Sequence, residues 1–342
     1  MSAQAFIIEV PLREGYVTAG HQLATRAGVI VRVTTDGLSG WGEFAEIPGY
    51  SAETVETALA ALTGAPVIHS NPMAIAARRD AELDLEAKQR GVPLVGLLGG
   101  TPGTVSSGAA VARFGDLAGA LAEAGERVAD GYRKIKLKIG PGFDIEPLRE
   151  IRRRYPDVGL AADANGAYQP GEVPAALDEI GLLYLEQPYA PFTAWHDFAG
   201  LRVEMATPIC LDESISGLPT LRSAISARAC DVINLKASRV LGLRRALELY
   251  ELASAAGLGL VAGGLLETGI GRAAALALAR LPGFTFPADL SASDRYWARD
   301  LVVPRWKLVD GSLVVPSSPG IGVDVDTEYL AEVTVSQHSL PA

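Results

Sequence analysis

The chain has 342 residues, 49% of them hydrophobic and 20% charged, with a formal net charge of -10. That length can bury a large core and carry one large domain plus a smaller one. The acidic balance leaves no basic face to neutralise phosphates, which argues against nucleic acid or an anionic membrane as partner.

No apolar run reaches the ~18 residues of a membrane span, and the opening MSAQAFIIEVPLREG lacks the cationic start and apolar stretch of a secretory leader. The two cysteines, Cys210 and Cys230, lie inside or beside strand patterns. They read as buried thiols of a reducing compartment, so a cytoplasmic location is expected. Arg152-Arg153-Arg154, the densest basic run, falls in a helix pattern and reads as a solvated face.

In chain order, residues 4–11 and 28–34 alternate like strands, and Asp36-Gly37 followed by WGEF suggests a hairpin meander. Two helices follow, from Ser51 to about Leu62 and from Met73 to Arg90, the second stopped by Gly91 and Pro93. The breaker cluster Gly99-Gly100-Thr101-Pro102-Gly103 marks a domain boundary. Strand patterns then alternate with helical ones, near 105–111, 134–139, 160–164, 182–188, 208–213, 232–237, 259–264 and 285–290. That pattern predicts eight βα-type units in one barrel. The tail LVVPRWKLVDGSLVVP, with its Asp-Gly turn, reads as a hairpin returning to the N-terminal part. The resulting division is an α+β domain over 1–100, a barrel over 101–300 and a returning segment over 301–342.

Five residues recur at nearly one interval along the barrel. Lys138, Asp163, Glu186, Asp212 and Lys236 are separated by 25, 23, 26 and 24 residues, and each ends a short apolar run. Each therefore sits at the carboxyl end of a strand, and in a closed barrel those ends surround one mouth where the active site is built. On the strand KIKLK, parity turns Lys134, Lys136 and Lys138 inward and Ile135 and Leu137 outward. Inward lysines require compensating charge.

Asp163, Glu186 and Asp212 supply oxygen ligands, while His21, His69, His196 and His338 all lie away from the strand ends. Such a set implies a hard cation and suits Mg²⁺ better than Zn²⁺. Taken singly, each acid could equally cap a helix; three in consecutive units point to a site.

Lys136-x-Lys138, Asp163-x-Asn165, Glu186-Gln187-Pro188, Asp212-Glu213-Ser214, Lys236 and Gly263-Gly264 followed by Glu267-Thr268-Gly269 together resemble the enolase superfamily, within it the muconate-lactonizing subgroup. The resemblance extends over essentially the whole chain. It implies an α/β fold, a (β/α)7β modified TIM barrel, with an α+β N-terminal capping domain completed by the C-terminal tail. It also implies Mg²⁺, or Mn²⁺ in its place, held by Asp163, Glu186 and Asp212, with Lys138 and Lys236 on opposite faces of the substrate. Gly263-Gly264 stands where the mandelate-racemase subgroup carries a histidine base, which favours the two-lysine subgroup.

A lysine base paired with Mg²⁺ characterises this superfamily. Removing the proton α to a carboxylate makes an enediolate, whose second negative charge the metal stabilises. A lysine serves as base only when its pKa falls from about 10.4 toward 7–8, and neighbouring cations push in that direction.

The stretches INLKASR and GGLLETGIGRAAALALARLPGFTFPADLSASDRYW resemble o-succinylbenzoate synthases and the related N-succinylamino acid racemases. The first reading is the synthase, which dehydrates 2-succinyl-6-hydroxy-2,4-cyclohexadiene-1-carboxylate in menaquinone synthesis. The racemase is the alternative, then a dipeptide epimerase or muconate cycloisomerase. A barrel that has lost its chemistry is disfavoured because no expected ligand or lysine is missing.

Arg239, three residues after Lys236, stands where the racemase-containing branch carries an arginine, and is expected to lower the pKa of Lys236. Glu213 is expected to orient a lysine and Asn165 to support the metal shell. Ser106, with Gly108, is read as ending the first barrel strand. Ser106, Gly263, Gly264, Glu267, Tyr50, Ser51 and Arg26, with the loop from Tyr16 to Arg26, are candidate substrate contacts. Gly269-Ile270-Gly271-Arg272 reads as a helix-opening turn. The expected partner is a small-molecule carboxylate, and a homo-oligomer is compatible with the composition.

Overall fold

The computed structural model describes residues 1–18, 21–66, 70–112 and 115–341, and the side chains of all these except 14–18 and 21–22. His69 and the side chain of His21 thus lie outside the described residues. The chain begins with an antiparallel meander of β1 (Ser2–Thr18), β2 (His21–Thr35) and β3 (Leu38–Ala45). Asp36 and Gly37, with φ of 48° and 79°, make the β2–β3 turn, a conformation Asp-Gly pairs favour. Of the stretch from Tyr16 to Arg26, expected as a loop, the described residues 16–18 and 21–26 are strand instead, with Tyr16 paired to Leu23 and Thr18 to His21.

Two helices, α1 (Val55–Thr63) and α2 (Pro72–Gln89), follow. The first starts later than Ser51 because Thr54 and Thr57 form a reciprocal capping box. Ser51 accepts instead from the Glu53 amide at 3.1 Å. Buried Ala74, Ala77 and Ala81 lay α2 on β3. The approach is so close that a Cβ on Gly40 or Gly42 would fall 2.0 Å from the Ala81 oxygen or 1.9 Å from the Ala77 oxygen. Only glycine lets helix and strand backbones meet there.

After α3 (Leu94–Leu97) and β4 (Gly103–Ser106) come seven parallel strands. They are β5 (Gly108–Val111), β6 (Lys134–Lys138), β7 (Gly159–Asp163), β8 (Leu185–Glu186), β9 (Ile209–Leu211), β10 (Val232–Leu235) and β11 (Gly259–Ala262), hydrogen-bonded in that order. They are connected by α4 (Leu117–Ala129), α5 (Ile145–Arg154), a 3₁₀ turn at Ala175–Ile180, α6 (Trp195–Glu204), α7 (Leu218–Ala227) and α8 (Leu243–Ala255). Behind β11 lies α9 (Gly269–Ala279).

The eighth expected strand, 285–290, is reduced to two bridging residues: Ala288 pairs with Ser107 and Asp289 with Gly263, both parallel. Pro287, which has no amide hydrogen to give a ladder, keeps it short. These bridges nevertheless close the ring, with the Gly108 amide donating to the Ala288 oxygen at 2.7 Å and the Asp289 amide to the Ala262 oxygen at 2.8 Å. Pro188 and Pro208 likewise trim β8 and β9 below the expected 182–188 and 208–213. The fold is α/β, a (β/α)7β barrel with an antiparallel N-terminal domain.

Beyond the barrel, β12 (Val302–Val303) pairs with β14 (Asp324–Val325), and β13 (Ser312–Val315) pairs with β4. After α10 (Thr327–Val333), β15 (Thr334–Leu340) joins the free edge of β1. Inside the barrel, Ala161, Tyr184, Cys210, Val232 and Val261 form a cluster of their own, while outward-facing Ile135 and Leu137 join the main core with Leu148 and Ile151. Cys210 and Cys230 are buried and free. Of the basic run, Arg153 and Arg154 are exposed, but Arg152 turns back to donate to the Val158, Ile180 and Gly181 carbonyls. Among the described residues no helix is long and apolar enough to cross a membrane.

Candidate active site at the carboxyl ends of the strands

Strand register carries the five spaced residues to one rim. Lys138 lies opposite Asp163, and Asp163 opposite Glu186. Asp212 and Lys236 each follow directly on the last residue of β9 and β10. Counting around the closed ring, the lysines stand on the second and sixth of eight strand positions, half the circumference apart. The three acids occupy the positions between them.

Inside the barrel each lysine meets an acid. Lys134 Nζ lies 2.9 Å from Asp289 and donates to the Tyr184 hydroxyl at 2.7 Å. Lys136 Nζ donates to both Glu186 oxygens (2.9 and 3.0 Å) and to Asp289 (2.7 Å). Lys138 Nζ donates to Asp163 (2.7 Å) and to Asn165 Oδ1 (2.5 Å). Across the mouth, Lys236 Nζ donates to Asp212 (2.7 Å) and to the Tyr50 hydroxyl (3.1 Å). Arg239 donates to the same hydroxyl at 2.6 Å and makes a very short contact with the other Asp212 oxygen.

These contacts set the charge states. Burial opposes ionisation of Asp212, but Arg239 and Lys236 outweigh it and hold the carboxyl well below its usual range. Asp163 is lowered in the same way, burial being overcome by Lys138 and Lys136. Glu186 goes the other way: burial, with Asp163 repelling it, pushes it up to about 8 despite Lys136. Burial also lowers Lys134, while Lys136 is raised because Asp289 and Glu186 overcome its burial. Lys236, expected to be lowered by Arg239, is raised, because Asp212 and Tyr50 outweigh both its burial and the arginine.

Other expected residues fall as follows. Asn165, at φ 44°, gives its backbone amide to Asp163 Oδ1 at 3.0 Å and its side-chain amide to Glu213 at 2.8 Å. Glu213, expected to hold a lysine, therefore holds Asn165. A Cβ on Gly263 would lie 2.3 Å from Asn234 Oδ1 and 2.5 Å from Lys236 Cε, so a side chain there would displace two groups of the site, while one on Gly264 would lie 3.0 Å from the Asp289 backbone oxygen, a tight contact. Glu267 accepts from the Leu265 amide at 2.7 Å and lies 3.5 Å from Arg272.

Two candidates, and the helix-opening turn at Gly269, lie apart from the lysines. Ser106 is exposed on β4 and precedes the barrel strand instead of ending it, which puts it at the opposite end of the barrel. Arg26 is buried against Glu43, which also accepts from the Thr268 and Gly271 amides (both 2.9 Å) and so fastens the capping domain to α9. The Gly269 amide goes to Asp300 at 2.7 Å, so the helix start is taken up by the protein's own carboxylates.

Asp289, Asn234 and Tyr184 were missed. Each faces inward; Asn234 and Tyr184 stand two residues before Lys236 and Glu186, and the alternation of strand side chains is the signal that could have found them. Asn234 Nδ2 donates to Glu186 at 3.0 Å. Gln187, at φ 40°, accepts from the Asp212 and Ser214 amides (3.0 and 3.2 Å) and so locks two acid-bearing strand ends together.

The donor set fits a hard divalent cation: carboxylate oxygens on adjacent strands, with Glu213 Oε2 buried and lacking a hydrogen-bond partner beside them. Among the described residues, no three His, Cys, Asp or Glu side chains converge as a ready coordination shell. The carboxylates are turned onto ammonium and guanidinium groups, contacts that a cation would replace.

A closed (β/α)7β barrel with acids between two facing lysines, under an antiparallel capping domain, defines the class. A family profile described as "Enolase C-terminal domain-like" matches residues 119–329, and one described as "MenC, N-terminal domain" matches residues 1–69. The chain belongs to the enolase superfamily. It is 38% identical to an o-succinylbenzoate synthase of Geobacillus kaustophilus, over 96% of this chain and 94% of that one. It is 37% identical to an N-succinylamino acid racemase of Thermus thermophilus, over 100% and 99%. The crystal structure of an enolase-superfamily member from Listeria innocua superposes with a TM-score of 0.91 at 32% identity, covering 99% of this chain and 98% of that one.

Proposed function

We propose that the protein removes the proton α to a substrate carboxylate, and that its reaction is the dehydration carried out by o-succinylbenzoate synthases. The observation that carries this reading is the placement of Lys138 and Lys236 half a barrel apart with Asp163, Glu186 and Asp212 between them. Asp163, Glu186 and Asp212 would hold Mg²⁺, which when bound supplies Lewis-acid stabilisation of the second negative charge of an enediolate.

Lys138, as a neutral amine, takes the α-proton and returns it on the same side to the departing hydroxide, so that water leaves. Asn165 holds its Nζ, which orients the lone pair once the ammonium is deprotonated. On the far side, Lys236 stays an ammonium and stabilises the negative charge developing on the substrate. The Tyr50 hydroxyl fixes its position.

N-succinylamino acid racemisation is the second reading. It is favoured by the presence of a lysine on each side, which permits proton removal from one face and delivery to the other, and by the arginine beside Lys236. The full-length racemase relative supports it as well.

Incubation of the purified protein with Mg²⁺ and each substrate, following dehydration by absorbance and racemisation by polarimetry, tests both. The synthase reading expects fast dehydration, abolished by exhaustive chelation and restored by Mg²⁺. Full turnover in verified metal-free protein would sink the assignment.

A further inference from the structure

Lys236 and Arg239 are carried on a tight loop that runs from the end of β10 to the start of α8. Within it Ser238–Val240 makes one 3₁₀ turn, Leu241 adopts φ 71° and Gly242 φ 98°, and the Gly242 amide closes back on the Ala237 oxygen at 2.8 Å. The residue that should cap α8 is Gly242, which has no side chain to accept from the first amides of the helix.

The cap comes from the other domain. Asp80, on α2, accepts from the Leu243 amide at 2.8 Å. A Cβ on Gly242 would lie 2.8 Å from that same Asp80 oxygen, so glycine is required both for its φ and for the approach of the carboxylate. The preceding residue of α2, Arg79, donates to the Leu241 oxygen at 3.3 Å. Two successive residues of α2 thus grip the loop on either side of Gly242. The helix is itself seated on β3 at Gly40 and Gly42, with no room to slide. A continuous packed path leads from the capping sheet through α2 to the loop bearing Lys236.

We propose that Asp80 is a positioning residue, a helix cap supplied by the capping domain that fixes the 237–243 loop and through it the Lys236 side of the mouth. This rests on the reading that Lys236 acts on the substrate. Asparagine caps helices about as well as aspartate, so Asp80→Asn retains the function while Asp80→Ala loses it.

The test compares full-length wild type, Asp80→Ala, Asp80→Asn and Arg79→Ala in two ways. Trace acetylation with acetic anhydride, quantified by mass spectrometry, reads Lys236 against Lys138. In Asp80→Ala the released loop opens locally and Lys236 labels roughly 3-fold faster or more, with Lys138 unchanged and Asp80→Asn near wild type. Turnover with the better of the two substrates falls on the order of 10- to 10²-fold in kcat, KM changing little, as a small misplacement of a reacting group predicts. Should Asp80→Ala fail to fold, Arg79→Ala, at an exposed position, shows the same selective rise in Lys236 labelling. Unchanged Lys236 labelling, an equal rise at both lysines, or no recovery in Asp80→Asn would overturn the proposal. Wild type inactive on both substrates would instead count against the proposed function, and the labelling comparison would still decide the role of Asp80.

Discussion

Lys138 and Lys236 differ in what surrounds them. The side chain of Lys138 is 30% exposed and that of Lys236 only 7%, so Lys138 opens to the mouth while Lys236 is wrapped by Asp212, Tyr50 and Arg239. Lys138→Ala removes the proposed base and is expected to lower kcat at least about 10²–10⁴-fold; a smaller loss would exclude it from that role. In D₂O, a racemase exchanges the α-hydrogen of both enantiomers of an N-succinylamino acid, each through its own lysine. Fast dehydration with no exchange into any N-acylamino acid eliminates the racemase reading. Arg239 bears on the same choice. Its own effect disfavours the ammonium of Lys236, although Asp212 outweighs it. Racemisation needs Lys236 as a neutral base in one direction, whereas dehydration needs only its cation. Arg239→Gln is therefore expected to damage racemisation and Lys236-side exchange more than dehydration. Equal losses in both reactions would mark the arginine as structural.

At the level of elements, the contact of α2 with β3 is the joint on which the capping domain depends. Gly42→Ala forces a methyl into the Ala77 carbonyl and has no flexible side chain to push aside. Overpacking of this kind costs about 1–3 kcal/mol, which urea unfolding would register as a lowered midpoint. Gly200→Ala in α6 is the control, since nothing lies within 4 Å of its added Cβ. It is expected to be neutral or to stabilise by about 0.4–1 kcal/mol. Similar losses at the two sites would refute the close-packing argument. The two glycines were legible only as residues of a strand pattern, because the partner that makes them necessary is a helix about 40 residues further on.

Across the whole molecule, Asp80 also makes stability depend on pH. Burial raises its carboxyl to about 7, against the Leu243 amide and Arg79, which favour ionisation. An acid raised above its unfolded value holds its proton longer when folded. Its contribution is complete below the unfolded pKa of about 4 and is lost as pH rises through about 7. Asp80→Asn cannot titrate, so its melting temperature relative to wild type is expected to shift upward between pH 5 and pH 8.5. A difference that stays constant over that range would show that Asp80 does not titrate there.

The amino-acid order alone determined the barrel, the five-residue rim and the inward lysines, because the βα repeat and strand alternation are local periodicities that survive without neighbours. It also showed that lysines on the KIKLK strand must be neutralised. Which groups neutralise them was decided only by closure of the barrel: Asp289 reaches Lys134 and Lys136 from a segment about 150 residues away, reduced by Pro287 to bridges too short to announce a strand. Likewise, the grip of Tyr50 on Lys236 and Arg239, the retreat of Arg26 to Glu43 and the cap of α8 by Asp80 all join distant parts of the chain. Such contacts follow from how two domains dock, and burial and charge pairing at that interface have no period along the sequence from which to read them.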